Sequence, residues 1–208
     1  PMTFIRLAGC NAPDLGLGCL AWCDTAGSWD PACGRPTASG TLQAQAHYPR
    51  VCITGGEPLL QAEGVAELTA LLQRAGARVH LETNGTLPDA YEKVQHFVDI
   101  ISMDIKLPSS TGQQDFWKEH KRFLALADNK EVFLKAVVCE GTLETDLLKI
   151  IDLLKSVNRS HTLVLQADSS VASAGKIGEK MEKFKAVCAA KDIIACVIPQ
   201  VHKSAGVR

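Results

Sequence analysis

No apolar run in this chain approaches the roughly 18 consecutive residues that a membrane-spanning helix requires, so the sequence offers no candidate span. Charge excess is missing as well: 22 Lys and Arg against 23 Asp and Glu leave a formal net charge of −1. Without a basic field there is no bulk attraction for nucleic acid or an anionic membrane, and neither is expected as a partner. The one charge-dense helical stretch, residues 176–185, mixes both signs and reads as a solvated face rather than an RNA site. Internal repeats, low-complexity tracts and a visible secretory signal are also lacking.

What is there is an ordinary globular composition, 46% hydrophobic and 22% charged over 208 residues. That length suits one domain, 1–208, with a sizeable core. Eight cysteines are many for such a chain, and Cys10, Cys19, Cys23 and Cys33 crowd its beginning. A chain with a good core does not need four disulfides, and a clustered trio suits metal binding in a reducing compartment, so a cytoplasmic protein is expected. Cys52, Cys139 and Cys196 lie in apolar stretches and read as buried thiols in strand cores.

Short runs rich in Val, Ile and Leu at residues 3–8, 51–54, 78–83, 100–104, 132–138, 162–166 and 193–198 predict strands buried on both faces. Between them, residues 60–75 place Val65, Leu68, Leu72 and Ala75 on one helical face. Thr142 is placed to cap a helix with the stripe Leu147, Ile150, Ile151, Leu154 and Val157, and Ile177, Met181, Phe184 and Cys188 mark another. Such alternation predicts an α/β fold with a parallel sheet, either doubly wound or a partial β/α barrel. Both put chemistry at the carboxyl ends of strands. Residues 11–42 form one long irregular stretch with Pro13, Pro31 and Pro36, the kind of loop that usually serves function.

Cys10 closes the first strand, and Cys19 and Cys23 follow in that loop. Three thiolates suit a 4Fe–4S cube with one iron open; a zinc site completed by Cys33 or a histidine, and inert thiols, are the competing readings. After the second strand comes Thr54-Gly55-Gly56-Glu57-Pro58. Two glycines there let backbone groups approach a ligand closely, and Glu57 adds an acceptor for an ammonium group; the plain alternative is a tight turn opening a helix.

Taken together, R-L-A-G-C-N…W-C-D-T and I-T-G-G-E-P-L-L-Q resemble the radical S-adenosylmethionine superfamily. Within it the chain is similar to the 7-carboxy-7-deazaguanine synthase family of queuosine biosynthesis. The resemblance runs on through L-E-T-N-G-T at 81–86, S-M-D-I-K-L-P-S-S at 102–110 and I-P-Q-V-H-K-S-A-G-V-R at the end. It implies a partial, incomplete β/α barrel of mainly parallel strands. It also implies a lyase that converts 6-carboxy-5,6,7,8-tetrahydropterin to 7-carboxy-7-deazaguanine with loss of ammonia, started by a 5′-deoxyadenosyl radical. The implied cofactors are a 4Fe–4S cluster, S-adenosylmethionine and magnesium; the implied partners are an electron donor such as flavodoxin and a second subunit in a homodimer. A glycyl-radical-activating or other small radical enzyme, or a non-catalytic metal-binding module, are the alternatives.

By the same resemblance Cys10, Cys19 and Cys23 match the cluster ligands, with Trp22 before the third, and Thr25 matches the magnesium ligand. Gly55, Gly56 and Glu57, then Glu82 and Asn84, then Ser102, Asp104 and Lys106 fall where cofactor contacts are expected. Arg6, Gln200 and His202 match groups near the substrate; His47, His80, His96, His120 and His161 read as surface or satisfied polar groups. Two departures stand out. The cysteine gaps are eight and three residues where the superfamily commonly has shorter ones, and the chain opens at Pro1 where the family has a further strand and a Q-G-E-G loop. A missing opening segment is therefore expected.

Overall fold

A computed structural model describes residues 1–15, 23, 25–112, 114–157, 161–168 and 174–198. Seven strands, β1 Thr3–Leu7, β2 Arg50–Gly55, β3 Arg78–Thr83, β4 Ile100–Ile105, β5 Glu131–Val138, β6 Thr162–Ala167 and β7 Ala195–Ile198, form one sheet in sequence order. Every neighbouring pair is parallel. A doubly wound fold would reverse direction at a switch point; this strand order never does. It is the winding of a β/α barrel, left open because β1 pairs only with β2 and β7 only with β6 among the described residues.

The crossovers carry α1 Ser39–Ala44, α2 Ala62–Arg74, α3 Pro88–Val94, α4 Pro108–Thr111, α5 Trp117–Leu126, α6 Glu144–Lys155 and α7 Ala174–Ala189. A monotonic order of right-handed crossovers sends all helices to one side of the sheet. The core lies there. Val51, Ile53, Val79, Leu81, Ile101, Met103 and Leu134 from the strands are fully buried in one cluster with Val65, Leu68 and Leu72 of α2. Tyr91 of α3 stacks on Phe123 of α5 with ring centroids 4.3 Å apart. No helix among the described residues is long and apolar enough to cross a membrane.

The strands are not buried on both faces, as their apolar look suggested. Residues of β3 and β4 alternate: Leu81, Ile101, Met103 and Ile105 face the helices, and the intervening Glu82, Ser102 and Asp104 face the concave side. Parallel register lines these up in rows. Arg6 stands beside Thr54, Glu82 beside Ser102, and Asp104 beside Lys135.

Some local expectations shift. The helix expected from residue 60 begins at Ala62, because Pro58–Gln61 takes a tighter 3₁₀ turn. Thr142 does not cap α6: its hydroxyl accepts the Cys139 backbone N–H at 2.8 Å, and Leu143 occupies the cap position. The irregular stretch contains two 3₁₀ turns, Ala26–Ser28 and Pro31–Cys33, before the short α1. Cys52 is buried in β2 as expected, but Cys139 lies just past β5 and is half-buried, and Cys196 on the short last strand is exposed.

Candidate active site

Two turns meet at the carboxyl rim of β1 and β2. Beyond Leu7 the chain passes through Gly9, whose φ of 104° favours glycine, to Cys10. Gly56 donates its N–H to Leu7 O at 3.2 Å and Glu57 donates to Gly9 O at 2.8 Å. The turns are so close that a Cβ on Gly55 would lie 2.1 Å from Leu7 O, and one on Gly56 would lie 2.2 Å from Gly9 O and 2.7 Å from Cys10 Cβ. Only glycine fits at either position. The T-G-G-E-P turn is thereby pressed against the first cysteine.

The loop after Cys10 returns to the same rim. Gly9 and Cys10 donate their N–H groups to Ser28 O and Trp29 O at 2.8 and 3.1 Å. Trp29 Nε1 donates to Cys23 Sγ at 3.3 Å, and Thr25 Oγ1 lies 3.4 Å from the same sulfur. Thr25 precedes the Ala26–Ser28 turn but makes no side-chain cap bond to it. Cys10 and Cys23 feel each other electrostatically. Burial raises the Cys10 thiol above its usual range, the Ala12 N–H offsets that in part, and Glu57 and Cys23 push it further up. Both are free of disulfides, as is Cys33, which is exposed at the end of the turn capped by Asp30. This soft, unpaired donor set suits an iron–sulfur cluster, whose positive irons would draw off the thiol protons. Cys19 and Trp22 lie outside the described residues, as do Gln200 and His202. Among the described residues no three metal-binding side chains gather in one place.

Glu57 has a structural task that its motif did not suggest. It is fully buried, and its carboxylate is taken up internally. Oε1 accepts the Leu59 N–H at 3.0 Å and the Thr83 hydroxyl at 2.8 Å; Oε2 accepts the Asn84 N–H at 2.7 Å. Burial pushes its pKa up to about 6, held back by these hydrogen bonds and by Lys106. The residue expected to meet an ammonium group locks the exit of β2 to the exit of β3. Asn84 is likewise engaged: its Nδ2 donates to Asn11 Oδ1 at 2.8 Å, and Asn11 Nδ2 donates to Thr86 Oγ1 at 2.9 Å. Behind this net, His120 Nε2 meets Asn84 O at 3.0 Å. Burial lowers the His120 pKa to about 4, so the ring is neutral. The net fixes the residue after Cys10 to the β3 exit.

The concave face supplies the remaining groups. Thr54 donates to Glu82 Oε2 at 2.7 Å. Lys106 Nζ donates to Asp104 Oδ2 at 2.7 Å, and Lys135 Nζ stands 3.4 Å from the same oxygen. Burial opposes the charged form of Asp104, but the two ammonium groups outweigh it and hold the carboxyl below its usual range. The loop ion pair that Asp104 and Lys106 could form is thus real, and it sits inside the concavity. Arg6 and Ser102 lie on this face with Glu82, by the parity of their strands. Sequence reading missed Lys135; His120, read as a surface or satisfied polar group, is buried with its Nε2 on Asn84 O. Strict alternation of Val132, Leu134 and Ala136 was the signal that turns Lys135 inward.

Residues 41–165 match the family model described as the radical SAM superfamily. The chain is 36% identical over 167 residues to a 7-carboxy-7-deazaguanine synthase of Geobacter sulfurreducens, covering 76% of this chain and 64% of that protein. It is 46% identical over 114 residues to the protein of that name from Methanospirillum hungatei, covering 53% of this chain and 44% of the relative. It is 31% identical over 222 residues to that of Archaeoglobus fulgidus, covering 99% and 89%. The match thus spans less than two thirds of the first two relatives' own length. In fold the chain is similar to a radical SAM methyltransferase from Sphaerobacter thermophilus, with a TM-score of 0.63 at 16% identity over 95% of this chain and 65% of that one. It is also similar to anSMEcpe solved with AdoMet and a Cp18Cys peptide, with a TM-score of 0.59 at 16% identity over 94% and 62%.

Proposed function

This chain belongs to the radical S-adenosylmethionine superfamily and, within it, to the 7-carboxy-7-deazaguanine synthase family, and from that premise we propose that it converts 6-carboxy-5,6,7,8-tetrahydropterin to 7-carboxy-7-deazaguanine. Loss of ammonia alone balances the conversion, so it is a lyase reaction without net oxidation. The observation that carries the reading is the interlocked rim, where Gly56 leaves no room for a Cβ against Cys10 and the polar concave face opens beside it.

When bound, S-adenosylmethionine and a 4Fe–4S cluster given one electron by a donor such as flavodoxin supply carbon–sulfur bond cleavage, and so the radical that starts the ring contraction. The protein's part is to hold, orient and shield. Cys10, Cys19 and Cys23 hold the cluster. The backbone of Gly55 and Gly56 would hold the methionine end of the cofactor, and Glu57 keeps that turn in shape through its hydrogen bonds. Glu82, Ser102, Asp104 and Lys106 contact the cofactor from the concave face, with Asn84 fixing the loop beside them. Arg6 grips the substrate carboxylate in bidentate fashion, and Gln200 and His202 address the pterin edge.

Thr25 is the proposed magnesium ligand. A hydroxyl next to the cluster loop with no cap bond to make suits a hard ion that takes few protein ligands. The test of the function is anaerobic reconstitution with iron and sulfide, then incubation with a reductant, S-adenosylmethionine and carboxytetrahydropterin. Formation of carboxydeazaguanine supports the reading. Cofactor cleavage with the pterin returned intact counts against it and favours another radical enzyme.

A further inference from the structure

Strand β5 carries a cation that the roles above leave unused. Val132, Leu134, Ala136 and Val138 are buried, so alternation turns Lys135 to the concave face. There it stands directly beside Asp104 in the register of β4 and β5. Its Nζ lies 3.4 Å from Asp104 Oδ2, an oxygen that Lys106 already holds at 2.7 Å. Two ammonium groups converge on one carboxylate oxygen, while Asp104 Oδ1 is buried without a hydrogen-bond partner. The side chain of Lys135 is 34% exposed, against 17% for Lys106 and 23% for Asp104. It is therefore the member of the trio most open to the concavity. The trio also adjoins the cluster rim, since Lys106 acts electrostatically on both Cys10 and Glu57.

Of the two cations on Asp104, Lys106 makes the shorter contact, and Lys135 makes the longer one from a more exposed position. A lysine serving only as a second surface partner would contribute little. An arriving carboxylate would give the partly exposed Lys135 ammonium a charge-assisted bond shorter than its present 3.4 Å contact. We infer that Lys135 is a ligand-binding residue of the active site, whose ammonium takes up a carboxylate of a bound small molecule beside Asp104 and Lys106. The inference rests on the proposed function, which brings two carboxylates into this space: that of the methionine moiety and that of the pterin.

Paired ligands distinguish them. Dissociation constants are measured on reconstituted wild type, Lys135→Met and Lys135→Arg for S-adenosylmethionine and its decarboxylated form, and for carboxytetrahydropterin and tetrahydropterin. Lys135→Met should weaken the carboxylated member of one pair by about 10- to 100-fold, the loss of one hydrogen bond to a charged group. The member without a carboxylate should be nearly unaffected, and Lys135→Arg should restore most of the affinity. The affected pair names the carboxylate. Equal weakening of both members of a pair, or no change in either, overturns the inference. Lys135→Gln, which keeps a donor but no charge, replaces the Met variant if that fails to fold. A wild-type protein that binds no pterin would sink the proposed function while leaving Lys135 to be judged on the S-adenosylmethionine pair.

Discussion

Glu57 accepts the Asn84 backbone N–H at 2.7 Å, and Asn84 O in turn meets His120 Nε2 at 3.0 Å. The two titratable groups of this chain of contacts have pKa values displaced in opposite directions, and each displacement has a consequence for stability.

For Glu57 the folded pKa is raised from 4.5 to about 6. The folded state therefore holds the proton more tightly, and stability falls as pH rises through that window, by about 2 kcal/mol. Replacing Glu57 by Gln removes the titration. The stability difference between wild type and Glu57→Gln, from denaturant melts between pH 4.5 and 7, should change by that amount. Parallel profiles would show that the carboxyl is not buried as described.

His120 works in the other sense. Its pKa drops from 6.5 to about 4, so stability is fully present above the unfolded pKa and is lost as pH falls toward the folded one. The loss amounts to about 3 kcal/mol. Removing the imidazole by His120→Gln should flatten the acid limb of the stability profile while lowering stability at neutral pH. An unchanged acid limb would contradict the buried neutral ring.

Gly56→Ala forces a Cβ to 2.2 Å from Gly9 O, so the rim must separate. Bound iron per reconstituted chain and the melting temperature should both fall. Gly64→Ala is the control: nothing lies within 4 Å of its Cβ position in the first turn of α2, and it should leave stability unchanged or raise it by less than about 1 kcal/mol. Full iron loading in Gly56→Ala would refute the close approach.

Cys10→Ala and Cys23→Ala should abolish iron retention and cofactor cleavage, whereas exposed Cys33→Ala should keep both. Iron and sulfide analysis with the visible spectrum decides the matter. A Cys33 variant that loses its iron would make that residue a fourth ligand and remove the open iron.

Much of this was legible in the sequence because strands of a β/α barrel are short, apolar and separated by amphipathic helices. The seven strand positions are found within a few residues. The concave face was not, since runs such as I-I-S-M-D-I read as apolar until the helices show which parity is buried. The glycine turn could be recognised, but its reason could not: Gly55 and Gly56 are needed for contact with Leu7 and Gly9, which are far away in sequence. The partners of Glu57 were hidden for the same cause, because the donors that meet it, Thr83 and Asn84, come from another loop.

One measurement reaches the central claim most directly: ammonia and product mass from carboxytetrahydropterin, reductant and S-adenosylmethionine with the reconstituted chain, run beside Cys10→Ala. The account predicts one ammonia for each carboxydeazaguanine formed, and neither with the variant. Cofactor cleavage without ammonia, or ammonia released equally by the variant, would contradict it.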